Sequence, residues 1–250
     1  MKSKKHHFSV YNITRPRDCR TKIKSMRPTV ISSDQDQFRF LQEMASIDKN
    51  LYTVKSCKKG DYVYLPDERS DKVFFLKKGR ITTGTFSDEG KIMAKGMVLA
   101  GSFFGELGLI GEELRDDFSI TKDESEVWIF AISDMRRILR SRPNLYMYLI
   151  GSVGHRLMKA EKRLESMVFK NSRTRIVEFL HSLGEEQGQR VGYETLVRNF
   201  FTHQEIADLT GTSRQTVTTT LNELRNQNII TFNRRRLLIR DLSDLYKAAC

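Results

Sequence analysis

Four hydrogen-bonding side chains stand close together near the C-terminus of this 250-residue chain: Arg214, Gln215, Thr218 and Thr219. A guanidinium can bind both acceptors of a guanine edge, and an amide can read an adjacent base. A threonine offers a methyl to thymine or a hydroxyl to phosphate. For that chemistry the four must lie on the outer, N-terminal face of a helix seated in a DNA major groove. The neighbouring residues fit a helix pair that would place them there. Thr202 and Glu205 have capping-box spacing. Ala207 is small where two helices would cross, and Gly211 stands where the turn needs a residue tolerant of positive φ. Ser213 can cap the second helix, and Val217 and Leu221 fall inward. The spacing predicts a helix-turn-helix within residues 202–227. Its candidate DNA-contacting residues are Thr202, His203, Ser213, Arg214, Gln215, Thr218 and Thr219. The competing reading is an ordinary helical hairpin with no DNA role.

Around this pair stand the elements that would position it. Ile229 to Phe232 and Leu237 to Ile239 predict a hairpin behind the second helix, turning through Asn233, Arg234, Arg235 and Arg236. The three arginines at the tip suit backbone phosphates, which fix register without reading sequence. Asn171 or Ser172 can cap a helix running from Arg173 to Leu183, and residues 184–192 read as a polar loop. Upstream, from Pro143, the residues Leu145, Leu149, Val153, Leu157, Ala160, Leu164 and Met167 or Val168 recur at steps of three and four, with charges between them. A stripe this long predicts a coiled-coil seam with a second copy of the chain, so Leu149, Val153, Leu157, Ala160 and Leu164 are its candidate dimer contacts. A long helix packed on its own domain is the alternative. Gly151 and Gly154 would weaken an isolated helix and mark close contact with a neighbour.

Earlier in the chain the texture is different. Asp36 to Lys49 carries helical spacing at Phe38, Leu41 and Met44 or Ala45. From Leu51 to Ile132 short β-rich runs follow one another: Tyr62–Leu65, Val73–Leu76, Arg80–Phe86, Met93–Leu99 and Val127–Ile132, punctuated by Gly60, Gly79, Gly90, Gly96 and Gly101. That spacing predicts an antiparallel sandwich or jelly roll rather than βαβ units. The fold class expected is α+β: an N-terminal β-roll over 34–140, a dimerisation helix over 141–170, and a winged helix-turn-helix over 171–250.

Composition bounds the partners. A net charge of +12 favours a polyanion, but the first thirty residues carry +8 of it, nine Lys and Arg against Asp18, which leaves only +4 on the other 220. Residues 1–33 therefore read as a basic, flexible leader, either solubilising or an arm on phosphates. Cys19, Cys57 and Cys250 lie far apart with no CxxC, which argues against structural zinc or an iron–sulfur cluster and suits a reducing compartment. No apolar run approaches membrane-spanning length and no secretory signal opens the chain, so the expected address is cytoplasmic, with no membrane partner. No nucleophile–base pair or metal-ligand spacing is present, and no enzyme is predicted.

Over residues 35–245 this order resembles the catabolite activator / fumarate–nitrate regulator (Crp/Fnr) family. Three stretches carry the resemblance: Lys59-Gly60-Asp61 with Phe74 to Arg80, Gly101-Ser102-Phe103-Phe104-Gly105-Glu106-Leu107-Gly108-Leu109-Ile110, and the 202–219 run. The second is similar to the family's phosphate-binding cassette. The resemblance implies that the amides of Gly105 and Leu107 face a cyclic phosphate, that Glu106 accepts from a ribose hydroxyl, and that Arg115 pairs with the phosphate. It also implies a homodimer on a pseudo-palindromic double-stranded DNA operator, with RNA polymerase as a partner if the protein activates.

The departures from that pattern are plain. Glu106 and Arg115 are one residue closer than in the catabolite activator, Asp116 replaces a small hydroxyl residue, and Asp117 follows it; two acids there would repel a phosphate and compete for Arg115. Ala160-Glu161 replaces the Thr-Ser that contacts adenine. The Gln215 and Thr219 positions carry Glu and Arg in the catabolite activator, so a different operator sequence is expected. A cyclic nucleotide stays one candidate effector, with cyclic AMP itself disfavoured; another small effector, or a roll kept only as a dimerisation platform, are the others. The iron–sulfur sensor's cysteine cluster is missing, and a haem would have only His155 as an internal ligand. The rival to an operator-reading regulator is a cyclic-nucleotide-binding regulatory module of a signalling system.

Overall fold

A computed structural model of the protein describes residues 34–89 and 92–248. The expected leader over 1–33, Gly90, Cys19 and Cys250 lie outside them. The chain opens with helix α1 (Asp34–Ala45) and continues into eight strands: β1 (Thr53–Cys57), β2 (Tyr62–Tyr64), β3 (Lys72–Lys78), β4 (Arg80–Phe86), β5 (Ile92–Leu99), β6 (Ser102–Phe104), β7 (Phe118–Thr121) and β8 (Ser125–Ala131). They form two four-stranded antiparallel sheets, ordered β1-β8-β3-β6 and β2-β7-β4-β5. The jelly roll expected from the sequence is therefore present. The short strands β1, β6 and β7 were not anticipated, because each is too brief or too polar to carry a pattern. Gly96 is also no turn: it lies within β5 opposite Thr83, where the register slips by one residue.

Why Val73-Phe74-Phe75-Leu76 is apolar without alternation follows from the layers. Phe74 and Leu76 face the second sheet, joining Tyr64, Ile81, Val98, Phe104 and Val127 in the interior of the roll. Val73 and Phe75 face the other way, onto Phe40, Met44, Phe103, Trp128 and Phe130 and the helices that cover that side. A sheet buried on both faces needs apolar side chains at every position.

Helix α2 (Ile132–Ser141) leads into helix α3 (Pro143–Phe169), 27 residues long. Leu145 and Leu149 at its start belong to the roll's own outer core. Leu149, only 7% exposed, is thus a packing residue of its own domain, a correction to its assignment to the dimer seam. From Val153 onward the stripe is open: Leu157 is 60% and Leu164 66% exposed, and Ala160 and Val168 are exposed as well. Among the described residues, none outside the helix's own neighbouring backbone lies within 4 Å of a Cβ added at Gly154.

The C-terminal domain comprises α4 (Ser172–Gln187), β9 (Gln189–Val191), β10 (Glu194–Arg198), α5 (His203–Thr210), α6 (Arg214–Asn226), β11 (Ile230–Phe232), β12 (Arg236–Ile239) and α7 (Leu242–Lys247). Its strands pair in the order β11-β12-β10-β9 around a single core that includes Ile176, Leu180, Val197, Ile206, Val217 and Leu237. Residues 184–192 are not a loop. Gly184 continues α4, and it is a glycine because a Cβ there would lie 2.7 Å from Leu242 and 2.8 Å from Ile239. The polar stretch after it is the edge strand β9, exposed at every residue.

Candidate nucleic-acid interface and effector cavity

The helix pair is built as its residues require. Thr202 Oγ1 accepts from the Glu205 amide at 3.2 Å, and Glu205 Oε2 accepts from the Thr202 amide at 2.8 Å, closing the capping box. Gly211 ends α5 at φ 62°, and Ser213 Oγ accepts from the Thr216 amide at 3.0 Å to start α6. Val217, Leu221 and Ala207 are buried between the helices. Arg214, Gln215 and Thr219 are exposed on the first turns of α6, with no side-chain partner among the described residues. Thr218 stands apart from them: its hydroxyl donates to the Arg214 carbonyl at 2.9 Å and meets His203 Nδ1 at 2.8 Å. Its methyl is the part left for a base. Thr202 and Ser213 spend their hydroxyls on caps. Arg234 and Arg235 lie in the turn between β11 and β12, and Arg236 opens β12; all three are exposed. Asn233 Oδ1 accepts from the amides of Arg235 and Arg236 at 2.9 Å each, so the turn that presents the arginines is itself ordered.

Sequence reasoning missed the arginines that seat this reader. Arg175 of α4 donates from Nε to Thr210 O and from Nη2 to Gly211 O, both at 2.9 Å, and so ties down the turn between α5 and α6. Arg163 of α3 donates to Ala94 O in the roll and to Asp208 O on α5, each at 2.8 Å. Arg80 of β4 pairs with Asp123 at 2.5 Å and donates to Asn199 O ahead of α5 at 3.0 Å. Met97 of β5 packs against the C-terminal core. No local pattern distinguishes such residues from surface charges, because their acceptors are main-chain carbonyls far away in sequence.

Between the roll, α3, α4 and α5 lies a cavity of about 700 Å³, within the range of small-molecule sites. Gly105, Glu106, Leu107 and Arg115 all line it. Glu106 is only 8% exposed; its Oε1 pairs with Arg156 of α3, and its Oε2 is buried without a partner among the described residues. Arg115, 6% exposed, donates to Gly105 O at 2.7 Å and to Lys72 O at 2.6 Å, with its guanidinium over the rings of Tyr64 and Phe74. Burial lowers its pKa. The expected contest of Asp116 and Asp117 for Arg115 takes another form. Asp116 pairs with Lys95 at 2.6 Å, while Asp117 is pushed to a higher pKa chiefly by burial. Main-chain carbonyls, not the acids, hold Arg115. Val153, Leu157 and Ala160 line the same cavity from α3, so the seam and the cradle share a helix. His155 lines it too, half-buried, its pKa lowered first by burial and then by Lys159. Among the described residues no helix is long and apolar enough to cross a membrane.

A sensor-type jelly roll joined by one long helix to a winged helix-turn-helix defines a class of DNA-binding regulators. Comparison with known proteins places the chain within that class. Residues 54–142 match the family model for the cyclic nucleotide-binding domain, and residues 174–248 match the model for the Crp-like helix-turn-helix domain. The global nitrogen regulator of a Nostoc strain is 23% identical over 188 residues, 74% of this chain and 84% of that protein. The cAMP-activated global transcriptional regulator CRP of Haemophilus influenzae is 28% identical over 164 residues, 65% of this chain and 73% of that one. A variant of CooA from Carboxydothermus hydrogenoformans shares the fold with a TM-score of 0.73 and 23% identity, covering 84% of this chain and 95% of that one. The chain belongs to the Crp/Fnr family of transcription regulators. Both curated relatives are named as regulators rather than enzymes.

Proposed function

We propose that this chain is a homodimeric transcription regulator that reads a pseudo-palindromic DNA operator and responds to a small effector held in the cavity. One observation carries the reading: Arg214, Gln215 and Thr219 stand exposed on α6 with no side-chain partner among the described residues, flanked by the Arg234–Arg236 wing, on a chain whose α3 stripe is open from Val153 onward. Pairing two copies along Val153, Leu157, Ala160 and Leu164 would set the two recognition helices about one DNA turn (~34 Å) apart. Arg214 is the candidate for a bidentate guanine contact, Gln215 for the adjacent base, and the wing arginines for phosphates. A regulatory module without operator reading leaves the exposed face of α6 with no purpose.

The effector would act through Glu106, whose partner Arg156 lies on the dimer helix, and so would bias the C-terminal domain between two orientations about Lys170 and Asn171. The cradle does not favour cyclic AMP, because Arg115 is already engaged by two carbonyls and Ala160-Glu161 offers no adenine contact of the expected kind. If the protein activates, RNA polymerase is the further partner. A chromosomal operator puts the chain in the cytoplasm.

The test is retention of genomic fragments in a gel, followed by footprinting, across a salt series, with sedimentation to give the oligomeric state. A two-fold-symmetric footprint with steep salt dependence is the expected result. No retention at low salt, or a monomer that still gives a two-fold footprint, would overturn the reading.

A further inference from the structure

His203 opens α5, and its ring sits where three elements meet. Nδ1 lies 2.8 Å from Thr218 Oγ1 on α6, and the ring meets Phe232 of β11 edge-on, 5.9 Å between centroids. The single hydroxyl hydrogen of Thr218 goes to the Arg214 carbonyl. Thr218 therefore accepts from the imidazole, which places a proton on Nδ1. The other nitrogen, Nε2, has no hydrogen-bond partner among the described residues, and it is not one of the fully buried polar atoms, so it reaches solvent. In the neutral ring Nε2 is a bare acceptor, which suits no phosphate. In the imidazolium it is a charged donor, and the Nδ1–H to Thr218 bond is the same. The clamp accommodates both states, and only the charged one complements a DNA backbone.

The surroundings keep the ring neutral in the free chain. Burial first, and the Arg214 guanidinium second, hold its pKa below the usual histidine value. Arg225 lies on Phe232, 5.4 Å from its ring centre, adding no negative charge. Of the two carboxylates on the same helix, Glu205 is tied to the Thr202 amide and hydroxyl, and Asp208 accepts from Gln204 Nε2 at 2.8 Å. A row of phosphates would supply the missing counter-charge.

We propose that DNA binding by this chain takes up a proton at His203, whose imidazolium, clamped by Thr218 and Phe232, donates from Nε2 to the phosphate backbone. This rests on the DNA-reading function proposed above. A group that holds its proton more tightly in the complex favours the complex as pH falls. Affinity therefore rises on acidification, by up to about tenfold per pH unit per protomer, within the window between the free and bound pKa values around the ordinary histidine range.

The experiment is fluorescence anisotropy of the full-length protein with a labelled duplex of arbitrary sequence, since phosphate contacts are blind to sequence. Titrations at about pH 6 and about pH 8 are run at constant ionic strength. Wild type should bind at least about tenfold more tightly at the lower pH. His203→Arg should bind with similar strength at both, near the wild-type low-pH value. His203→Gln should keep a donor for Thr218 yet lose the gain on acidification. The other four histidines, His6, His7, His155 and His181, are present in every variant and cancel in the comparison. The same pH profile in wild type and His203→Gln would overturn the proposal while leaving DNA binding intact. Failure of the wild-type protein to bind duplex at either pH would overturn both.

Discussion

At the reader, Arg214, Gln215 and Thr219 are exposed and have no side-chain partner among the described residues, whereas in the cradle Glu106 and Arg115 are buried and already engaged by Arg156 and by two carbonyls. The difference follows from what each surface meets. Donors kept in solvent are free to exchange water for a base edge at little cost. Groups buried in a low-dielectric cradle must be satisfied from within, because an unpaired buried charge is expensive. A ligand that takes Nη1 or Nη2 of Arg115 must therefore displace bonds the protein has already made, and among the described residues Glu106 Oε2 and Arg115 Nε are the cradle atoms left over for it. DNA arriving at α6 displaces only water. Substitutions at the reader should change binding and spare the fold; substitutions in the cradle should do the reverse.

The largest effect tests the scaffold that both depend on. Leu221→Ala, at a fully buried position of α6, should cost about 2–5 kcal/mol of C-terminal domain stability, measured by urea denaturation. Arg115→Met comes next. It removes the donor from Gly105 O and Lys72 O and should lower stability by about 1–3 kcal/mol, with operator affinity unchanged when measured well below the melting temperature. Arg214→Ala is its mirror image: about 1–3 kcal/mol lost in DNA affinity, relaxed preference at one position per half-site, and an unmoved melting temperature. If Arg214→Ala destabilises as much as Arg115→Met, the contrast between reader and cradle fails. Thr202→Ala, which opens the capping box, should cost about 1 kcal/mol in stability by thermal denaturation. The smallest effect is expected from cyclic AMP, which should leave the melting midpoint where it was. A shift equivalent to about 2.7 kcal/mol at a hundredfold excess over Kd would show that Arg115 exchanges its carbonyls for a phosphate after all.

Legibility in the sequence followed the same divide. The capping box, Gly211, Ser213 and the inward Val217 and Leu221 act within a few residues of one another, so their spacing alone is informative, and each stands where it was expected. Strand β4 was legible end to end from its β-branched residues Ile81, Thr82, Thr83 and Thr85, and β3 and β5 to within one or two residues from their apolar side chains. The edge strand β9 was not, since every residue of it faces solvent and no alternation survives. Glu106 and Arg115 could be nominated from the family's motif. Their partners could not, because Arg156 lies 50 residues from Glu106 in sequence and Lys72 lies 43 from Arg115. Leu149 shows the limit of periodicity from the other side. A stripe can change owner along one helix, serving its own core for two turns and standing open for the next five.

Arg163 holds Ala94 O of the roll and Asp208 O of α5 at once, and both carbonyls belong to the same subunit as the arginine. Each reader hangs from its own sensor. In a cell making both intact and roll-damaged copies, a mixed dimer would keep one arm correctly slung and misplace the other. The dominance of such an allele is then set by how well an operator tolerates a dimer gripping with one hand, and near-symmetric operators would suffer more than lopsided ones.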